Sequence, residues 1–189
     1  KLQAIVLHDF SELPFATQPG TFTGKQPNSS LRADGQSIGG SYFFSGGFAG
    51  IALVFKSHRE QAVALTWIGD GATKTTAFHE GMNLAAVLSV PAIFVIQNNQ
   101  IALGTRLDQH QSGPITAWSK AYGVAGFTCD GNNVLDTYAA TRLAADLARS
   151  GNGPVIIIAE TFRMGGHATH DEKEAREIFP TEVFAHWGK

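Results

Sequence analysis

Apolar residues gather in three short runs bounded by turn residues, and between the runs the spacing changes to that of helices. Ala62-Val63-Ala64-Leu65-Thr66-Trp67-Ile68, Ala92-Ile93-Phe94-Val95-Ile96 and Val155-Ile156-Ile157-Ile158-Ala159-Glu160 are short and rich in β-branched residues, so they read as strands buried on both faces. Phe48, Ile51, Ala52 and Phe55 recur at helical spacing and predict an amphipathic helix ending near His58. Phe78, Met82, Ala85 and Leu88 predict a second helix from about Thr73 to Ser89, closed by Pro91. Ile101 to Ser112 holds no period and reads as a loop, after which Pro114 opens a short helix to Tyr122. Phe127-Thr128-Cys129 reads as a short strand. Asn133 is placed to cap a helix to about Ser150, with Leu135, Tyr138, Leu143 and Leu147 as its apolar face and Gly151-Asn152-Gly153 as its stop.

Strand, helix, strand, helix, strand in alternation predicts an α/β fold with a parallel sheet flanked by helices. Residues 1–45 are poorly legible. Ala4-Ile5-Val6-Leu7 is an apolar run of undecided type, and the glycines between Gly35 and Gly50 read equally as a flexible turn or as a place where a ligand or partner approaches backbone. The chain therefore divides into an N-terminal segment, 1–45, and an α/β domain, 46–189.

Composition narrows the setting. A length of 189 residues suits one α/β domain with a substantial core. A formal net charge of -2 argues against nucleic acid as a main ligand. No apolar run approaches the ~20 residues that span a bilayer, and no secretory pattern is visible. The single Cys129 allows no internal disulfide, fits a reducing compartment and reads as a small buried apolar residue. The expected location is the cytoplasm, or the mitochondrial matrix in a eukaryote. Zinc-ligand spacing and a Gly-x-Ser-x-Gly elbow are both missing from the sequence, so zinc and hydrolase chemistry have no support.

The candidate chemistry lies at the ends of the first two strands. Gly69-Asp70-Gly71 follows one and Asn98-Asn99 the next, and a strand-helix-strand crossover brings both carboxyl ends to one sheet edge, where ligands of open α/β sheets bind. Asp70 can give a carboxylate oxygen, Asn99 an amide oxygen and Ile101 a backbone carbonyl. These are hard donors of the kind magnesium takes when phosphate and water complete its shell. Gly69 and Gly71 let backbone approach phosphates, and the following helix offers N–H groups to the same anion. Taken singly, Gly-Asp-Gly and Asn-Asn are more often plain turns. Their joint placement favours a magnesium-diphosphate site.

These residues carry a resemblance. Gly69-Asp70-Gly71-Ala72-Thr73, Phe78-His79-Glu80-Gly81-Met82-Asn83-Leu84-Ala85-Ala86-Val87, Pro91 and Asn98-Asn99 together resemble the thiamine-diphosphate motif of 2-oxoacid dehydrogenases, in the alpha subunit or alpha half of their decarboxylating first component. Asp130-Gly131-Asn132-Asn133 resembles an Asp-Gly-Asn-Asp element of that subunit, and Thr161-Phe162-Arg163-Met164-Gly165-Gly166-His167-Ala168-Thr169-His170-Asp171 resembles its histidine loop. The resemblance runs from about Gly46 to Lys189. Its alpha subunits extend further at both ends, so the chain is expected to be a piece of a longer polypeptide.

The resemblance implies a thiamine-diphosphate-binding fold. It implies thiamine diphosphate and magnesium as cofactors, with Asp70, Asn99 and the Ile101 carbonyl on the metal and Gly69, Gly71 and Ala72 around the diphosphate. His167 matches a histidine that contacts the diphosphate and assists acyl transfer to lipoamide; a lone loop histidine is more often a plain surface residue. Arg163 can hold phosphate or order the loop, or it can form a salt bridge with Asp171 or Glu172. His79 and Glu80 match a His-Glu pair, but such helix-face residues more often serve packing or capping. Gln97 stands where some members have a phosphate-contacting arginine, and His170 where some have a phosphorylatable serine.

The implied activity is oxidative decarboxylation of a 2-oxoacid, pyruvate or branched-chain, with acyl transfer to a lipoyl-bearing acyltransferase. The implied partner is a beta subunit, or beta half, which supplies the glutamate that activates the cofactor; the two-chain form is a heterotetramer. A transketolase-like or other thiamine-diphosphate enzyme, and a non-catalytic relative of the same fold, are the alternatives. The Arg163 to His167 loop and the Asp130-Gly131-Asn132 element weigh against the first. The segment from Gly39 to Ser45, which lacks the family's proline-containing stretch, leaves room for the second.

Overall fold

The apolar runs become adjacent strands of one sheet. The computed structural model describes residues 3–7, 29–31, 37–39, 44–167 and 171–187. In chain order these form β1 (Gln3–Leu7), β2 (Ser29–Leu31), β3 (Ser37–Gly39), α1 (Phe44–His58), β4 (Val63–Gly69), a 3-10 turn (Gly71–Lys74), α2 (Thr76–Val87), β5 (Ala92–Asn98), β6 (Ile101–Ala102) and β7 (Thr105–Arg106). There follow α3 (Leu107–His110), α4 (Ala117–Ala121), β8 (Ala125–Asp130), α5 (Val134–Arg149), β9 (Val155–Glu160), α6 (Glu172–Ile178) and α7 (Thr181–Trp187).

The main sheet has the order β1-β4-β5-β9-β8. β4, β5, β9 and β8 run parallel, as the helical crossovers require. β1 adds an antiparallel edge beside β4, so the undecided run Ala4–Leu7 is a strand.

Helices cover both faces. On one, Phe48, Ala52 and Phe55 of α1 and Phe78, Met82 and Ala85 of α2 pack on Ala64, Ile68, Phe94, Ile96, Ile156 and Ile158. On the other, Ala144, Ala145 and Ala148 of α5 meet Val63, Leu65, Ile93, Val95, Val155 and Ile157. Alternate residues of each strand thus enter opposite cores, and the strand sequences are continuous rather than alternating in hydrophobicity. Cys129 sits in the second core, where burial pushes its thiol up.

The structure corrects four local expectations. The helix after Gly-Asp-Gly is split: a 3-10 turn comes first, and α2 starts only after Thr75, whose Oγ1 accepts from the Phe78 N–H at 3.4 Å. At its other end α2 stops at Val87, because Ser89 takes a left-handed φ of 48° ahead of Pro91. The stretch Ile101–Ser112 is a β6–β7 hairpin and the short helix α3, elements too brief to leave a period. Lastly, α5 turns alanines to the sheet. Leu135 is 75% and Leu143 50% exposed, and of the four bulky residues only Leu147 packs on the core. Alanines let the helix lie close over the strands, so larger side chains face away. Among the described residues no helix is long and apolar enough to cross a membrane.

Candidate functional site

Parallel pairing lines up the carboxyl ends of four strands. Gly69 lies opposite Gln97, and Glu160 lies between Asn98 on one side and Asp130 on the other. The residues that follow, Asp70, Asn99, Gly131 and Thr161, therefore open their loops along one edge.

Asp70 and Asn99 are tied to a common point. The Asp70 N–H donates to the Gln97 carbonyl at 3.3 Å, and the Asn99 N–H donates to the same oxygen at 3.0 Å. Asp70 is 1% exposed, and its Oδ2 has no hydrogen-bond partner among the described residues. Burial pushes the Asp70 carboxyl up, while the Gly71 N–H, His110 and Lys74 draw it down. A buried carboxylate oxygen left bare is costly unless a cation or a donor meets it.

Asn99 Oδ1 accepts the Ile101 N–H at 3.2 Å and retains a second lone pair. Gln100 between them has φ 65°, which turns the chain into the hairpin and buries Ile101. The two glycines serve different ends. Nothing lies within 4 Å of a Cβ built on Gly69, whereas one built on Gly71 would overlap Ala102 Cβ. The open space is over Gly69; Gly71 is glycine because the hairpin packs on it. Ala72 is half-buried against the α1–α2 core.

The hairpin reaches the loop after β9. Arg163 Nη2 donates to the Leu103 carbonyl at 2.8 Å and Nε to the Gly165 carbonyl at 3.0 Å. Of the roles open to Arg163 from sequence, this geometry shows loop ordering. Glu172 accepts instead from the Gly166 N–H at 2.6 Å and from Arg176 at 2.8 Å. The His167 N–H donates to Asp171 Oδ2 at 3.0 Å, and its side chain is exposed. Ala168, Thr169 and His170 lie outside the described residues, as do Gly40 to Tyr42 of the glycine-rich approach.

Among the described residues, no group of three or more His, Cys, Asp or Glu is placed to hold a metal. An ion at this edge would depend on the Asp70 carboxylate with neutral oxygens around it, which suits magnesium shared with phosphate and water.

Comparison with known proteins identifies the family of the domain that carries this edge. A family model described as "Dehydrogenase E1 component" matches residues 25–177. The chain belongs to that family. It is 40% identical over 124 residues to a 3-methyl-2-oxobutanoate dehydrogenase subunit alpha of Mycobacterium tuberculosis, covering 65% of this chain and 34% of that protein. It is 37% identical over 164 residues to a pyruvate dehydrogenase E1 component subunit alpha of Staphylococcus aureus, covering 86% of this chain and 44% of the relative. The chain thus spans less than half the length of these relatives. A crystal structure from Mycobacterium smegmatis, described as a thiamin diphosphate-dependent enzyme, superposes with a TM-score of 0.51 at 19% identity, over 66% of this chain and 23% of that one. That likeness concerns the fold.

Within this dehydrogenase E1 domain the remaining motif residues take structural places. The Gly131 N–H donates to the Glu160 carbonyl at 2.7 Å, and Asn98 Nδ2 donates to Glu160 Oε2 at 2.9 Å, which laces the strand ends together. Asn133 Oδ1 caps α5 by accepting from the Leu135 and Asp136 N–H groups at 3.0 and 3.3 Å. His79 hydrogen-bonds the Tyr122 hydroxyl and packs edge-on against Phe78 and Trp118, with ring centroids 5.1 and 5.6 Å away. Burial, then the Lys74 charge, pushes its pKa down. Glu80 and Gln97 are exposed.

Two site neighbours were not legible from sequence. Lys74 Nζ sits 4.6 Å over the Trp118 ring and contributes charge near Asp70. His110, on α3, brings Nε2 to 3.7 Å from Asp70 Oδ2. His110 had no signal, because the segment holding it lacks a period and only the hairpin carries it back to the sheet edge; Lys74 lies in the 3-10 turn that the sequence read as the start of a helix.

Proposed function

We propose that the chain is the diphosphate-binding part of the alpha subunit, or alpha half, of a 2-oxoacid dehydrogenase, with residues 46–189 as that domain. The observation that carries this reading is the buried Asp70 carboxylate, bare at Oδ2, beside Asn99 and Ile101 at the sheet edge of a dehydrogenase E1 fold. The residues fit a magnesium-bound diphosphate. Asp70, Asn99 Oδ1 and the Ile101 carbonyl would hold the metal. Gly69 leaves room for phosphate oxygens, Gly71 and Ala72 shape the turn beside them, and Arg163 holds the loop that carries His167.

When bound, thiamine diphosphate supplies the electron sink for loss of carbon dioxide from a 2-oxoacid. This chain's residues anchor and orient the cofactor, and the two apolar cores keep the strand ends rigid beneath it. His167, exposed at the rim, is the side chain we assign to contact the diphosphate and to move a proton as the acyl group passes to lipoamide. The activating glutamate comes from a beta subunit or beta half, and a lipoyl-bearing acyltransferase receives the acyl group. Relatives named for pyruvate and for a branched-chain 2-oxoacid match this chain similarly, so the substrate class is 2-oxoacids of either kind. A cytoplasmic or mitochondrial-matrix setting suits this assembly.

The test is decarboxylation of pyruvate and of 3-methyl-2-oxobutanoate by the purified chain, alone and mixed with the beta subunit of a bacterial relative. Turnover only in the mixture supports the reading. Turnover by the chain alone, or ketol transfer between sugar phosphates, would contradict it.

A further inference from the structure

His110 and Asp70 enclose an unsatisfied polar contact. His110 comes from α3, whose start is set by the Gln109 side chain accepting from the Arg106 N–H at 2.9 Å, and the helix lies beside the β6–β7 hairpin. The His110 side chain is 14% exposed, and both of its ring nitrogens are buried without a hydrogen-bond partner among the described residues. The nearest acidic atom is Asp70 Oδ2, 3.7 Å from Nε2 and equally unpartnered. That separation exceeds a direct hydrogen bond. Two buried groups of matching donor and acceptor chemistry, each unmet and facing the other, indicate a contact completed when something further enters the site.

We propose that His110 is a positioning residue for Asp70. The proposal rests on the reading of this edge as a metal-diphosphate site. Carboxylate ligands of metals are commonly fixed by an outer hydrogen-bond partner, and loss of that partner weakens metal binding about 10- to 100-fold. His110 supplies the partner: it donates Nε2–H toward one lone pair of Oδ2 and leaves the carboxylate's remaining lone pairs, the second one of Oδ2 included, for the metal. Lys74 cannot take this role, because its Nζ is engaged by Gln111 Oε1, Thr73 Oγ1 and the Trp118 ring. The β6–β7–α3 segment therefore does more than deliver Ile101. It also brings His110 to within 3.7 Å of Asp70.

The test is binding of Mn2+, as a paramagnetic stand-in for magnesium, to the full chain in the presence of thiamine diphosphate, for wild type, Asp70→Ala, His110→Phe and His110→Gln. Phenylalanine keeps ring packing without nitrogen, and glutamine restores an N–H donor. Each variant is first checked for a cooperative thermal transition. The expected result is Mn2+ affinity about tenfold or more weaker in His110→Phe, with His110→Gln within a few-fold of wild type. Unchanged affinity in His110→Phe would overturn the proposal while Asp70→Ala still confirms the site. Equal loss in both His110 variants would overturn it as well, by pointing to packing. No Mn2+ binding by the wild type would overturn the site reading itself and this proposal with it.

Discussion

Asp70 and Asn99, 29 positions apart, donate their backbone N–H groups to one acceptor, the Gln97 carbonyl, at 3.3 and 3.0 Å. One oxygen at the end of β5 thus fixes both residues that offer a side-chain oxygen to the proposed metal. The arrangement survives only while β4 and β5 keep their register, so the site is a direct product of strand pairing.

Asp70 places function against stability. Its carboxyl is raised, so the folded chain without cofactor binds the proton more tightly than the unfolded chain does. The sign follows: this group lowers stability as pH rises from its unfolded value through its folded one. Asp70→Asn should therefore leave the cofactor-free chain as stable or more stable at neutral pH, by roughly 1 kcal/mol, and abolish metal-dependent cofactor binding. Thermal unfolding at pH 7.5 checks the first half, and a marked fall in melting temperature would count against it.

The glycines should separate by substitution. Gly71→Ala drives a methyl into Ala102 and should cost on the order of 1–3 kcal/mol of stability. Gly69→Ala meets open space, so it should leave stability nearly unchanged and weaken diphosphate binding instead. Urea unfolding together with cofactor titration tells the two apart.

Arg163 should act through order in the loop. Arg163→Ala removes the bonds to Leu103 and Gly165, and amide hydrogen exchange at Gly165, Gly166 and His167 should accelerate while the β-strand core keeps its protection. Unchanged exchange there would show that Asp171 and Glu172 suffice to hold the loop.

Asn133 ends the run that resembles an Asp-Gly-Asn-Asp element, yet its geometry is that of a helix cap. Asn133→Ala should cost about 1 kcal/mol and leave cofactor affinity intact. A loss of affinity without loss of stability would give it a role in the site.

Legibility from sequence followed the size of the physical signal. β4, β5 and β9 are buried on both faces, so their composition alone marked them, and the edge that joins Asp70 to Asn99 followed from the crossover rule. Short elements were hidden. The hairpin strands have two residues each and α3 has four, too few for a period, and His110 was lost with them. α5 misled because its alanines read as neutral while its leucines read as core, whereas the close approach to the sheet selects small side chains. The role of Gly71 needed Ala102, a contact from a separate element that no local rule supplies.

The most direct measurement is calorimetric titration of the chain with thiamine diphosphate, with and without magnesium, beside Asp70→Ala. Binding is expected to require magnesium and to disappear in the variant. Binding that is indifferent to magnesium, or that Asp70→Ala retains, would contradict the proposed site.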